Sequence, residues 1–365
     1  MKIPPFQCSS DEILHRKHRC LGTTEFQANT DGHVLTLDSF FKPTTYWKPT
    51  NIRVNFKLTM EPSVSGPSFE EIQIPVPFGF VSGKWWGPKD KQPIIAIHGW
   101  QDNAGTFDPL IELLPKDLSI LCIDLPGHGR SSHIPLGLPY YIFWDGLAIL
   151  RRIVRHYNWR KVSIMGHSLG AAIGFLYAAS YPDDTEMLIS IDTVAPVIFD
   201  PSEIVKNTGP NVDKLIYYDA LGVDKMPSYK YSDMIDLVVD GHHGTLTRKS
   251  CEILMRRGMY HVKDNKYLFS RDIRLKVAWM GLPSLDVVIA FAGQITCRYM
   301  NIKAKPYRSL DNWPVYSQVL EIIKMNAKDF VFKEYDGTHH LHLNNPECLA
   351  SDVAKFIQQP NSASL

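Results

Sequence analysis

The tightest constraint on this chain lies between Val162 and Ala172. Val162-Ser163-Ile164-Met165 has the character of a buried strand and runs into Gly166-His167-Ser168-Leu169-Gly170. Small and apolar residues suited to a helix follow at once. A G-x-S-x-G sequence between a strand and a helix must turn sharply enough to lift the serine hydroxyl above a sheet. That turn strains the backbone at Ser168, and the residues two before and two after it pass too close to tolerate a Cβ, so both are glycine. It also aims the Leu169 N–H, at a helix N-terminus, towards the hydroxyl, where it would be one donor of an oxyanion hole. Such a turn needs a sheet beneath it.

The sheet is legible on both sides of the turn. Phe69–Pro77 and Phe80–Trp86 read as two short strands around Pro77-Phe78-Gly79. Pro93–His98 is an unbroken apolar strand, as expected in a sheet covered on both faces, and is followed by a helix through Phe107–Leu114. Ser119–Leu125, an amphipathic helix over Tyr141–Tyr157, the Ser168 strand and helix, and a strand over Met187–Thr193 continue the series. Strict alternation implies a mostly parallel, doubly wound sheet with right-handed crossovers. Ligands in such sheets bind beyond the carboxyl ends of the strands, where His98-Gly99-Trp100, the Asp124 loop, Ser168 and Asp192 all fall. From Val194 to about Lys276 no buried strand is evident, and the segment reads as a helical cap inserted after the sixth strand. Alternation resumes with a strand over Leu285–Gly293, a helix through Tyr316–Lys324, a strand over Phe330–Tyr335 and a closing helix over Pro346–Gln358.

Before all this, residues 1–67 carry a basic knot (His15-Arg16-Lys17-His18-Arg19) and no sustained period, so they are expected to be a loosely ordered extension, with a targeting or regulatory segment as the alternative. The folded domain is expected over residues 68–360. A formal net charge of +1 over 365 residues argues against a nucleic-acid partner. Six cysteines lack metal-ligand or C-x-x-C spacing, which favours reduced thiols. No stretch is apolar enough for a membrane span. The expected location is the cytoplasm, with the peroxisome as alternative, since Ala363-Ser364-Leu365 only faintly resembles a peroxisomal address.

Five segments now carry a family signature: Val76-Pro77-Phe78-Gly79, Lys84-Trp85-Trp86-Gly87, His98-Gly99-Trp100, Asp124-Leu125-Pro126-Gly127-His128-Gly129-Arg130-Ser131-Ser132 and Gly166-His167-Ser168-Leu169-Gly170. With them, the chain from about Phe69 to Gln358 resembles the α/β-hydrolase superfamily, and within it the serine hydrolase-like proteins, the kraken-type hydrolases most closely. The resemblance implies an α/β-hydrolase fold with an eight-stranded sheet, and a serine hydrolase that needs no cofactor.

A serine hydroxyl needs a base, and in this fold the chain order is Ser, Asp or Glu, then His. Gly337-Thr338-His339 follows the last strand, seven residues before Pro346, which matches the superfamily's placement of the catalytic histidine. His342 and His340 are the other candidates. The glutamate usual in relatives five residues beyond that histidine is Asn344 here. A metal site of His339, His340 and His342 is not expected, because no carboxylate or cysteine joins them at ligand spacing. The second oxyanion donor is expected at the Trp100 N–H, with the Trp100 indole and His167 beside the substrate. His98, His128 and Arg130 are expected to brace their loops. Relatives commonly carry the acid after the seventh strand, where Ala292–Cys297 offers no carboxylate. Asp192, at the end of the sixth strand, is therefore the expected acid, with Asp311 as the alternative. The expected chemistry is hydrolysis of a small-molecule carboxylic ester, or a thioester or lactone, through an acyl-enzyme. The alternative is a degenerate hydrolase-like protein binding a small apolar ligand under the cap.

Overall fold

The computed structural model describes residues 69–221, 225–277, 280–308 and 311–359. The extension expected over residues 1–67 lies outside the described residues.

A hairpin opens the fold. β1 (Phe69–Val76) and β2 (Gly79–Trp86) pair in register from Phe69 opposite Trp86 to Val76 opposite Gly79. Then β3 (Ile94–Ile97), α1 (Asp108–Leu113), β4 (Ile120–Ile123), α2 (Ile142–His156), β5 (Val162–His167), α3 (Leu169–Ser180) and β6 (Thr185–Ile191) alternate as their apolar runs require. Every residue of β3 and β4 is buried, the signature of strands covered on both faces.

The inserted segment holds α4 (Pro201–Asp219), β7 (Tyr229–Lys230), α5 (Tyr231–Gly241), α6 (Arg248–Gly258), β8 (Met259–His261) and β9 (Lys266–Phe269). It is not purely helical: β7, β9 and β8 form a small antiparallel sheet, which the sequence reading missed because these strands are short and only half-buried. Met234, Ile235, Val238, Leu254 and Met255 give the cap its own apolar cluster, which Leu343 joins.

α7 (Leu285–Ala292) follows, and it corrects the sequence reading, which expected a strand there. An apolar run of that length fits either state by periodicity alone, and here Val288 and Ala292, four residues apart, face the core from a helix. The seventh strand of the main sheet is instead β10 (Arg298–Lys305). Its buried positions include Arg298, Asn301 and Lys303, so a search for apolar runs passes over it. α8 (Trp313–Asn326), β11 (Asp329–Asp336), α9 (Leu341–Asn344) and α10 (Glu347–Gln358) complete the described chain.

Eight strands form one sheet in the order β1-β2-β4-β3-β5-β6-β10-β11, antiparallel at β1–β2 and β2–β4 and parallel elsewhere. One apolar layer packs α2, α3, α7 and α8 on the sheet through residues such as Ile153, Phe175, Val288 and Val319. The other uses α1 and α10 through Leu110, Leu349, Val353 and Phe356. No helix among the described residues is long and apolar enough to cross a membrane.

Candidate active site

Ser168 stands between β5 and α3 with φ 51° and ψ −113°, a conformation L-residues rarely adopt. A Cβ on Gly166 would lie 2.3 Å from the Gly170 carbonyl carbon, and one on Gly170 would lie 1.9 Å from the Ile97 oxygen. Both glycines are therefore steric requirements of α3 leaving β5 across its neighbours. The Ser168 N–H donates to the Ile191 carbonyl (3.1 Å), which ties the turn to the end of β6. Leu169 is the first residue of α3, where N–H groups have no intrahelical acceptor. Trp100 lines the same cavity as Ser168 and Leu169, and its indole N–H donates to the Leu275 carbonyl at the base of the cap (2.9 Å). The cavity measures ≈ 170 Å³ and is walled by apolar side chains including Phe143, Ile198, Val288 and Val319, with Arg308 and Asp311 on its polar side.

Asp192 follows β6, also at positive φ (54°), with its N–H given to the Ile302 carbonyl of β10 (2.7 Å). Its two carboxylate oxygens are divided between partners. Oδ2 accepts from His339 Nδ1 at 2.6 Å, while Oδ1 accepts from Lys303 Nζ (2.5 Å) and the Ala304 N–H (2.9 Å). The bond fixes the proton of a neutral His339 on Nδ1 and leaves Nε2 as the basic nitrogen. Burial lowers the His339 pKa from its ordinary value; the bond to Asp192 opposes this, and the Arg308 and Lys303 charges add to it. For Asp192, burial would raise the pKa, but the His339 bond and the Lys303 and Arg308 charges hold it below the usual carboxylate value. An ionised carboxylate thus faces a neutral imidazole. Asp311, the alternative acid, accepts from Lys303 Nζ (2.7 Å) and Arg308 Nη2 (2.8 Å). It does sit after the true seventh strand, β10, yet the residue bonded to His339 is Asp192.

A family model for the alpha/beta hydrolase fold matches residues 92–221. A "Probable serine hydrolase" of Drosophila melanogaster is 48% identical over 80% of this chain and 88% of its own. The chain belongs to the serine hydrolase-like proteins of the α/β-hydrolase family. A "Serine hydrolase-like protein" of Danio rerio is 31% identical over 79% of this chain and 88% of its own. Among solved structures, a hypothetical protein of Pseudomonas aeruginosa superposes with a TM-score of 0.67 at 25% identity, over 80% of this chain and 99% of that one.

Of the expected residues, Ser168, Leu169, Trp100 and the alternative acid Asp311 line the cavity, whereas Asp192, His339 and the others do not. His167, expected beside the substrate, is fully buried and absent from the cavity wall. Its Nε2–H donates to the His339 carbonyl (2.9 Å), so it props the loop of the basic histidine instead of meeting a ligand. The strand period explains the error: as the last residue of β5 it points under the turn that exposes Ser168. His342 bonds Thr106 Oγ1 (2.9 Å), and burial drives its pKa down to about 3. His340 is buried as well, with its pKa lowered by burial far below the ordinary value. His98 accepts the Leu125 N–H (3.0 Å) and His128 the Gln101 N–H (3.1 Å), each bracing a loop. Arg130 bonds Glu71 (2.9 Å). Asn344, at the position where the resemblance implies a glutamate, donates to the Thr245 carbonyl (2.8 Å) and accepts from Ser250 Oγ (2.7 Å). A carboxylate could not make the first of these bonds, which join the His339 loop to the cap.

Sequence reasoning missed Lys303, Arg308, Asp102 and the Arg257 of α6 that pairs with Asp124 (2.6 Å), because only the fold brings them to their partners. Asp102 changes the metal question too. Asp102, His167 and His340, all buried, each place one ligand-type atom within 4.8 Å of the others'. Asp102 comes from the loop after β3 and joins His340 and His167; His339 and His342 of the sequence cluster are not in this group. At 3.9 Å, His167 Nδ1 and Asp102 Oδ2 lie beyond direct hydrogen-bond reach. A zinc ion, with ligands about 2.0–2.2 Å away, would draw them closer.

Proposed function

We propose that this chain is a serine hydrolase acting on carboxylic esters through an acyl-enzyme. Ser168 Oγ attacks the ester carbonyl as its proton passes to His339 Nε2, and Asp192 stabilises the imidazolium that forms. The N–H groups of Leu169 and Trp100 receive the oxyanion. Collapse breaks the acyl–oxygen bond and the alcohol leaves with the proton from His339. Water then attacks the acyl-serine with His339 again as base, and the acid and free serine are released. The observation that carries this reading is the 2.6 Å bond between His339 Nδ1 and Asp192 beside an elbow that aims Ser168 into an apolar cavity. The apolar wall favours an acyl group of hydrocarbon character, with thioesters and lactones as secondary substrates.

The rival reading is a binding protein without turnover, whose triad would lack an acid. Asp192 bonded to His339 weakens that rival. Labelling by an organophosphorus probe separates the two, since only an activated serine reacts. Ser168→Ala is expected to abolish labelling and to lower turnover of a graded series of p-nitrophenyl esters by around a millionfold, with unchanged melting. Wild-type rates in the alanine variant would end the proposal.

A further inference from the structure

Lys303 is the least expected residue of β10. Its side chain is fully buried on β10, the strand next to the sheet's β11 edge, at a position where an apolar residue would pack without loss of hydration. Its ammonium group bridges two carboxylates, 2.5 Å from Asp192 Oδ1 and 2.7 Å from Asp311 Oδ2. Arg308 closes the ring, 2.8 Å from Asp311 Oδ1 and 3.7 Å from Asp192 Oδ2. Two carboxylates and two cations thus balance one another around the oxygen pair that holds His339.

We propose that Lys303 is a positioning residue that clamps Asp192 Oδ1 so that Oδ2 faces His339, and that Asp311 sets how much of the lysine's charge Asp192 feels. This rests on the reading of His339 as the base. With Oδ1 held by Lys303 and the Ala304 N–H, Asp192 cannot rotate away from the imidazole. The same cation competes with an imidazolium for the Asp192 charge, which keeps His339 in the neutral form able to accept the serine proton. Asp311 works against it by drawing the ammonium towards itself. The charged and titratable groups facing His339 are Asp192 after β6, Lys303 on β10, Arg308 and Asp311 on the loop after β10, His167 on β5, the adjacent His340, and His342 on α9.

The two variants of the pair should move His339 in opposite directions. Lys303→Met removes the competing cation, so the acid limb of kcat/KM should move up by about one pH unit. Asp311→Asn leaves the full lysine charge on Asp192, so the limb should move down. A merely structural role for Lys303 predicts lost stability with no such opposed shifts. The imidazole titration of His339 by NMR, assigned by its loss in His339→Gln, gives the same reading without turnover. Should Lys303→Met fail to fold, the direction in Asp311→Asn decides: an unmoved or upward titration overturns the proposal. Shifts in the same direction in both variants also overturn it. If the imidazole shifts appear but no probe labels Ser168 in the unmodified protein, the hydrolase reading falls and the role of Lys303 stands.

Discussion

Two buried polar clusters meet at His339, and they are built on opposite terms. In the first, formed by Asp192, Lys303, Asp311 and Arg308, each carboxylate has a cation within hydrogen-bond reach. In the second, formed by Asp102, His167 and His340, Asp102 Oδ2 and both Nδ1 atoms lack a hydrogen-bond partner among the described residues. Since His167 donates from Nε2, its neutral Nδ1 presents a lone pair, and it does so towards a carboxylate oxygen. The paired cluster can keep its charges in place throughout a reaction. The unpaired one is easiest to hold when Asp102 is protonated: burial raises its pKa to about 7 in spite of the Asn103 N–H bond. The difference teaches that buried charge near a reactive group is organised by what faces it, and that proximity to His339 alone assigns no role.

The comparison breaks most visibly at Asp192. Asp192→Asn removes the acceptor that fixes the His339 tautomer and should lower turnover on the order of ten-thousandfold, measured with melting curves matched to the parent protein. Asp311→Asn, in the same cluster but without a bond to His339, should lose less than about tenfold. The reverse ranking would assign the acid to Asp311. The second cluster should respond in stability. Because folding raises the Asp102 pKa from 3.8 to about 7, the folded state binds this proton more tightly, so wild-type stability falls as pH rises through that window and stays lower above it. Asp102→Asn keeps an oxygen for the Asn103 N–H and turns an amide N–H towards His167, and it has no such slope. Its melting temperature should pull ahead between those two pH values and remain ahead by several degrees above them. Parallel melting profiles across pH would refute the assignment of this titration to Asp102.

What could be read from sequence divides along the same line. β3 to β6 and the Ser168 turn were legible because their constraints are local: apolar runs for the strands, and two glycines at fixed distance for the turn. His339 is expected from the superfamily's glycine and proline placement, and the fold brings its Nδ1 to Asp192. β10 was not, because its inward side chains answer to partners more than a hundred residues away, as the pairing of Lys303 with Asp192 illustrates. Reading α7 as that strand hides the loop on which Asp311 lies, so sequence alone does not place Asp311 relative to Asp192. His167 was misplaced for a different reason: adjacency in sequence to Ser168 does not put two side chains on one face of a strand.

The backbone at Ser168 carries an evolutionary meaning of its own. Its φ of 51° belongs to a region where glycine sits without penalty and serine does not, a difference of order 1–3 kcal/mol. A lineage selected for foldability alone would drift to glycine at this site, and Ser168→Gly should melt no lower than the parent while doing no chemistry. A comparison of melting temperatures between the two proteins would measure how strongly stability and the hydroxyl pull apart at a single residue.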